Sequence, residues 1–345
     1  MLAYIVRRIL IALLMLLGAS LLGFGVMKMT PGTYFDLLKM NPRVSQDLVN
    51  RQIARYGLDK PLPVQYLRWL GNLLPGFERR QSAGAEGQPP KYEWHIKGVS
   101  LGESFEHQKP VWEVLSSRLL NTLLLNLVAI ALTWLVALPL GIYASLHQHK
   151  LGDLLLSAIS FVGMSLPGFF LALILLWLGA GVWNILPAGG LKSATYDDMN
   201  GWQKLLDVAW HLVIPAVVLT IGGLAGLQRI TRGNMLEVLR QQYITTARAK
   251  GLPEHRVIYR HALRNAINPL ITIFGYELAA LFSGAALLEI VLNYPGMGQL
   301  MFSAIVSKDE PLVMAGFMIG AVLLLLGNLA ADLLLAVADP RITYS

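Results

Sequence analysis

The stretch TTARAKGLPEHRVIYRHALRNAINPL, residues 245–270, gathers Arg248, Lys250, Arg256, Arg260 and Arg264 between two long apolar runs. Cations at this density attract anions and acidic surfaces, but by themselves they perform no covalent step. Thr245, Thr246, Ala247, Ala249 and Gly251 are interleaved with them, and side chains this small let another surface come close. A loop that only lies near acidic lipid needs the charge and not the small residues. The pattern therefore points to a docking element for a partner protein, with a purely lipid-facing basic loop as the alternative.

The other reactive side chains are acids placed in apolar sequence. A charged residue in a membrane span costs about 2.5–3.5 kcal/mol on insertion scales, so it faces protein or water. Glu277 lies seven residues past Leu270. It reads either as an electrostatic contact in a translocation path, favouring a cationic substrate or a peptide N-terminus, or as an acid paired with the basic loop or kept protonated by burial. Glu289 precedes the turn at Tyr294-Pro295-Gly296 and suits a structural or gate role through hydrogen bonds to that turn. Ser165, Pro167 and Gly168 interrupt an apolar run and can shape a cavity, although prolines also occur in spans without that purpose. Asn121 and Asn126 suit bridges between helices, and Gly222-x-x-x-Gly226 suits close helix packing, within one subunit or between two.

Several chemistries lack their motifs. No G-x-x-x-x-G-K-[ST] phosphate loop is present, so this chain carries no such ATP site. The histidines show no H-E-x-x-H or other zinc spacing, and His147 and His149 sit in a loop without a neighbouring carboxylate. With no cysteine there is no disulfide, thiol nucleophile or thiolate metal site. No metal site and no catalytic residue is assigned.

The elements that hold these residues follow from hydropathy. Of 345 residues 55% are hydrophobic and 14% charged, and the mean hydropathy is +0.53. Soluble domains carry about 25% charged residues, so lipid must cover much of this surface. The net charge of +7 is then a matter of topology, with no nucleic acid as partner. A span needs about 20 apolar residues, and the stretches at 9–29, 119–146, 155–182, 211–230, 270–292 and 312–338 qualify. The first is too long for the apolar core of a signal peptide, lacks a small-residue cleavage site before Pro31, and reads as a retained span.

Basic residues orient the spans. With the N-terminus in the cytoplasm, the inner segments hold Arg7, Arg8, Lys150, the basic residues from Arg229 to Arg264, and Arg341, against Asp153, Glu237, Glu254 and Asp339. The short outer loops hold Lys192, Lys204 and Lys308 against Asp197, Asp198, Asp207, Asp309 and Glu310. Both termini are thus expected inside, with Lys28 at an outer span end where its side chain can snorkel. Helical spacing recurs at 43–58 and 63–74, whereas 78–98 is polar and rich in Gly and Pro and reads as a flexible excursion. Met235 to Lys250 reads as a helical continuation of the fourth span. Gly251 ends it, Pro253 opens a second helix, and Asn268-Pro269 stops that one. In the second helix Arg256, Arg260 and Arg264 share one face, and Ile258, Ala262 and Ala266 lie opposite.

The fold class expected is all-α: a polytopic membrane protein with six transmembrane helices, cytoplasmic coupling helices and a large extracytoplasmic loop after the first span. The segments are an N-terminal transmembrane helix at 1–29, the extracytoplasmic loop and helical insert at 30–118, a five-helix core at 119–338 that includes a loop at 231–269, and a cytoplasmic tail at 339–345.

Thr245-Thr246-Ala247, with Gly251 four residues on, resembles the coupling-loop motif of ABC importer permeases. The general motif begins Glu-Ala-Ala and ends in a proline thirteen residues after the glycine. Here Thr245 and Thr246 replace the acid and first alanine, and Arg264 stands at the proline position. TARAKGL followed by HALRNAINPL is similar to the dipeptide/oligopeptide/nickel branch, as are MLAYIVRRIL, GLDKPLPVQYLRWLGNLL, RLLNTLLLNLVAIAL, SLPGFFLALILL, LPAGG, HLVIPA, GAALLEIVLNYPGMG and ADPRI, in order along nearly the whole chain. The 78–98 insert and SKDEP depart from that branch's usual pattern.

The resemblance implies a pore-forming subunit of an ATP-driven importer, most simply for peptides. Its site residues would be those that couple to the ATPase: Tyr243, Thr245, Thr246, Ala247, Arg248, Ala249, Lys250, Gly251, Leu252 and Arg256. Ser165, Pro167, Glu277 and Glu289 would belong to the pathway or gate. It also implies a second permease subunit in a heterodimer, two ATPase subunits, an extracytoplasmic substrate-binding protein, and a multi-pass location in a prokaryotic plasma (inner) membrane. No cofactor would bind this chain, because ATP and Mg would sit on the partner ATPase. Nickel, oligosaccharide or another small solute is the alternative cargo. An ion-coupled secondary transporter is the rival class; it would show inverted repeats and broken helices, and neither is visible in the sequence. A membrane enzyme using Glu277 or Asp332 would need a second polar residue facing it.

Overall fold

The computed structural model describes residues 2–74, 76–82, 91–97, 100–281 and 284–338. In chain order it contains α1 (Leu2–Met29), α2 (Tyr34–Lys39), α3 (Gln46–Tyr56), α4 (Leu62–Leu73), β1 (Gly76–Ser82), β2 (Lys91–Lys97), α5 (Val111–Leu146), α6 (Leu151–Ser165) and α7 (Gly168–Leu176). It continues with α8 (Gly201–Leu239), α9 (Gln242–Ala249), α10 (Glu254–Arg256), α11 (Leu263–Ala266), α12 (Asn268–Ala279), α13 (Ala286–Val291), α14 (Met297–Val306) and α15 (Glu310–Ala338). Helix therefore dominates, as hydropathy requires where backbone groups have no water to bond. The expected tail at 339–345, with Asp339 and Arg341, lies outside the described residues.

The chain divides into two compact units. One comprises Leu10–Ser117 with Met301–Ala321, the other Met1–Ile9, Arg118–Leu300 and Val322–Ser345.

In the first unit, Phe35, Val49 and Phe105 form a core with Tyr34, Ile53 and Tyr56. The helices around it have clear local causes. Thr33 and Asp36 cap α2 reciprocally, and Gly57 takes φ +69° to end α3. The described residues of the 78–98 excursion are paired strands: β1 and β2 run antiparallel from Gly76↔Lys97 to Ser82↔Lys91. Alternating β-formers at Tyr92, Trp94 and Ile96 supply the strand propensity that the Gly and Pro content obscured. Lys28 Nζ donates to Glu310 at 2.6 Å. Buried Asp309 accepts from Ser104 Oγ at 2.5 Å and from the Glu106 amide at 3.1 Å, so the SKDEP segment is tied into this unit.

In the second unit, Leu125, Ala172, Leu212, Ile214, Val218, Leu292 and Tyr294 lie in one apolar core. Among the described residues, four helices are long and apolar enough to cross a membrane, and a fifth crossing arises if α6 and the helix from Gly168 to Val182 count as one bent span. That pair turns through 98°. Pro167 causes the break, because its ring pushes Leu166 into extended backbone (φ −90°, ψ 128°).

Among the described residues, the six stretches expected to span are thus not all single long helices. The 270–292 stretch consists of α12 and the separate α13. Gly284, between them, lies against the backbone of Gly298 so closely that a Cβ would come within 2.2 Å of the Gly298 nitrogen. A continuous helix would fill that crossing point with side chains. The reading of Met235–Lys250 as one helix is also corrected. Helix α8 ends at Leu239, Gln241 is extended (ψ 148°), and α9 starts afresh.

Candidate functional site

The break at Arg240-Gln241 lets α9 fold back on its neighbours. Ile244 is fully buried and Ala247 is 7% exposed, and they pack with Met235, Val257, Ile258, Ala262 and Ala266. Eight residues are too few for a stable isolated helix, so this apolar clamp is what holds α9 in place. Ala247 was expected on the docking face. It is instead the inward anchor, because its position three residues after Ile244 puts it on the same helical face.

The opposite face is open. Gln242, Tyr243, Thr245, Thr246, Arg248, Ala249, Lys250 and Gly251 are exposed, and Leu252 is half-buried under them. Gly251 has φ +74°, and a Cβ there would meet nothing within 4 Å. The glycine is needed for its backbone angle and not for space. Arg248 spans the turn and donates to Glu254 at 2.6 Å through a terminal nitrogen, and at 3.2–3.3 Å through Nε. That guanidinium holds the Glu254 carboxyl below the usual glutamate range.

Past Pro253, which caps α10, the chain does not run as one α-helix. Val257–Ala262 is a π-turn between α10 and α11. The expected faces survive it: Ile258, Ala262 and Ala266 are buried, while Arg256, Arg260 and Arg264 are exposed. Asn265 Nδ2 donates to the Tyr243 hydroxyl at 2.8 Å and links α11 to α9. Asn265 and Glu254 were missed as parts of this site. The only signal for Glu254 was an opposite charge six residues from Arg248, across a Gly-Leu-Pro turn.

A second missed contact lies nearby. Arg232 on α8 grips Asp153 in the first turn of α6 with Nε and a terminal nitrogen, each at 2.7 Å, and the His149 amide donates to the same carboxylate at 3.0 Å. These residues are far apart in sequence, so only folding pairs them.

Glu289 is 1% exposed and accepts from the amides of Ala285 at 3.2 Å and Gln299 at 2.7 Å. Its carboxyl fits among glycines, since a Cβ on Gly296 would sit 2.5–2.6 Å from it. The Tyr294 turn is held in turn by α5. Tyr294 donates to the Asn121 carbonyl, Asn121 to the Pro295 carbonyl, and the Met297 amide to Thr122 Oγ1, each at 2.8 Å. Asn126 donates to the Leu281 carbonyl. The LPAGG segment joins here too, with the Gly190 amide bonded to the Leu292 carbonyl at 2.8 Å. Glu289 is therefore part of a buried hydrogen-bonded knot.

Glu277 accepts from the Trp134 indole at 2.5 Å, and Trp134 packs edge-on against Phe274. Its partner is an indole and not the basic loop. Ser165 donates to the Phe161 carbonyl at 2.7 Å beside the exposed Pro167. The pathway candidates are thus satisfied separately: Ser165 and Pro167 at the α6–α7 bend, Glu277 on α12, and Glu289 in the knot. A Cβ on Gly222 or Gly226 would meet nothing within 4 Å, whereas one on Gly223 would lie 3.2 Å from the Thr133 methyl.

Comparison with known proteins fits this helical frame. A solved chain described as inward-facing conformations of the MetNI methionine ABC transporter matches with a TM-score of 0.51 at 19% identity, over 66% of this chain and 97% of that one, which speaks for the fold alone. The sequence is 38% identical to the oligopeptide transport system permease protein AppB of Bacillus subtilis over 100% of both chains. It is 34% identical to the di/tripeptide transport system permease protein DppB of Pseudomonas aeruginosa, over 100% of this chain and 99% of the relative. It is 32% identical to the dipeptide transport system permease protein DppB of Escherichia coli, with the same coverage. Residues 1–126 match the N-terminal model for binding-protein-dependent transport system membrane components. Residues 137–344 match the model for the inner membrane component itself, and the chain belongs to the family of binding-protein-dependent transport system inner membrane components.

Proposed function

We propose that this chain is a pore-forming subunit of an ATP-driven importer whose cargo is peptides. Peptide cargo is supported by relatives named for oligopeptide, di/tripeptide and dipeptide transport that match end to end. The observation that carries the mechanical role is α9, clamped on one face by Ile244 and Ala247 and bare on the other. In this reading a separate ATPase, which holds ATP and Mg, seats against Thr245, Thr246, Ala249, Lys250 and Gly251. A push on α9 passes through Met235 into α8, and through Ile258, Ala262 and Ala266 into α12. The chain itself hydrolyses nothing.

The bias of Lys and Arg supports a cytoplasmic position for the elbow and both termini in this reading. A second permease, as a heterodimer, completes the pore, and the open Gly222-x-x-x-Gly226 face supports such a neighbour. An extracytoplasmic binding protein hands cargo over from the other side. Membrane vesicles carrying the complete set of subunits test the reading: peptide uptake should require ATP, and an ATPase should co-purify with this chain. Uptake that continues without ATP and without any ATPase would refute it.

A further inference from the structure

A recess of about 210 Å³ lies between α6 and α8. Two contacts fix the register of its walls: Arg232 bonds Asp153, and Ser160 Oγ donates to Gln228 Oε1 at 3.3 Å. The recess therefore runs along the helices from a polar end at His149, Asp153 and Arg232 to an apolar end at Phe161, Met164 and Ala225. Gln228 and Arg229 line it between those ends.

The polar groups are unequally satisfied. Asp153 already neutralises Arg232 with two hydrogen bonds. Arg229 is exposed and has no ion pair among the described residues. Gln228 is 2% exposed, and its Nε2 has no hydrogen-bond partner. A buried amide N–H without an acceptor is costly, and an unneutralised guanidinium beside it calls for an anionic oxygen. Phe161 and Met164 are exposed at the other end and offer an apolar surface. A basic recess between membrane helices that opens onto apolar side chains has the chemistry of a lipid headgroup site.

We propose that this recess binds the phosphate of an anionic membrane phospholipid. Gln228 Nε2 and Arg229 meet the phosphate oxygens, and an acyl chain lies along Phe161 and Met164. The idea rests on the membrane location of the chain and on no particular cargo.

The test uses the full-length chain, purified in detergent, stripped of lipid, and offered phosphatidylglycerol or phosphatidylcholine before native mass spectrometry. Phosphatidylglycerol should be retained in preference. Arg229→Gln should lower its retention about fivefold, the equivalent of about 1 kcal/mol for one basic residue near a lipid phosphate. Gln228→Leu should also lower retention. Because Arg229 is exposed, Arg229→Gln keeps the test decisive if Gln228→Leu folds poorly. Arg43→Gln, an exposed charge in the other unit, should leave retention unchanged. Equal retention of the two lipids, no effect of Arg229→Gln, or an equal loss with Arg43→Gln would overturn the proposal. Displacement of the lipid by glycerol 3-phosphate at equal concentration would assign the recess to a soluble phosphate ester and overturn it as well.

Discussion

Arg232 and Asp153, 79 residues apart in sequence, meet in a two-pronged ion pair that joins α8 to the start of α6. The Asp153 side chain is 4% exposed and that of Arg232 24%, so it is Asp153 that is poorly solvated when left alone. Arg232→Met should destabilise the chain by about 3 kcal/mol, the lower end of the range for breaking a buried pair, because it strands the Asp153 carboxylate. Asp153→Leu with Arg232→Met should recover part of that loss. Thermal unfolding in detergent checks both, and a double variant as unstable as the single would contradict this account.

Gly251 should separate stability from assembly. Gly251→Asn keeps a residue that tolerates the left-handed region, and melting should change little. Gly251→Glu costs about 1–3 kcal/mol in backbone strain but has open space for its side chain, so the chain should still fold. It projects a charged group from the α9 turn, and the proposed ATPase should be lost from the purified complex. Co-purification at the wild-type level would remove this turn from the docking face.

The Arg248–Glu254 fork should matter modestly and with a defined pH dependence. Both side chains are about half exposed, so Arg248→Gln should cost less than about 1 kcal/mol at neutral pH. The folded-state pKa of Glu254 is lowered. The stabilisation is therefore fully present above the unfolded value, about 4.3, and is lost as pH falls through the lower folded value. Melting curves of wild type and Arg248→Gln should converge in acid; a gap that widens there would be inconsistent.

Glu289 and Gly296 should behave as one device. Glu289→Gln puts an NH₂ where a backbone amide now donates, and should cost about 1–3 kcal/mol. Gly296→Ala drives a Cβ into the carboxyl and should destabilise comparably or more. Combined, the losses should be less than additive, because the two substitutions damage the same knot. Strict additivity in unfolding measurements would count against it.

Glu277→Gln keeps an oxygen for the Trp134 indole and replaces the carboxyl group with a neutral amide. Folding should be unaffected, while uptake of Lys-containing peptides should fall several-fold more than uptake of neutral ones, a factor of ten being about 1.4 kcal/mol. Equal change across both peptide sets would take Glu277 out of substrate contact.

Much of this was legible in the linear chain. Long apolar runs enforce helices wherever lipid replaces water, so α1, α5, α8 and α15 follow from hydropathy. Four-residue spacing divided the elbow into a buried Ile258, Ala262, Ala266 face and an exposed arginine face, and the π-turn between them did not change that division. Gly251 marked the turn because few other residues take its positive φ, and Pro253 because it has no N–H to continue the preceding helix and suits the start of a new one. The tertiary structure decided where apolar sequence does not continue as helix. The break between α12 and α13 follows from the close approach of Gly284 to Gly298, and Ala247 faces inward because α9 folds back onto Met235. It also decided which polar groups meet: Arg232 with Asp153, Trp134 with Glu277, Asn121 with the Tyr294 turn. Helical propensity and hydropathy are local and repeat along the chain, so the sequence displays them. A hydrogen bond between segments depends on the path of everything between its ends, and only the folded chain fixes that path.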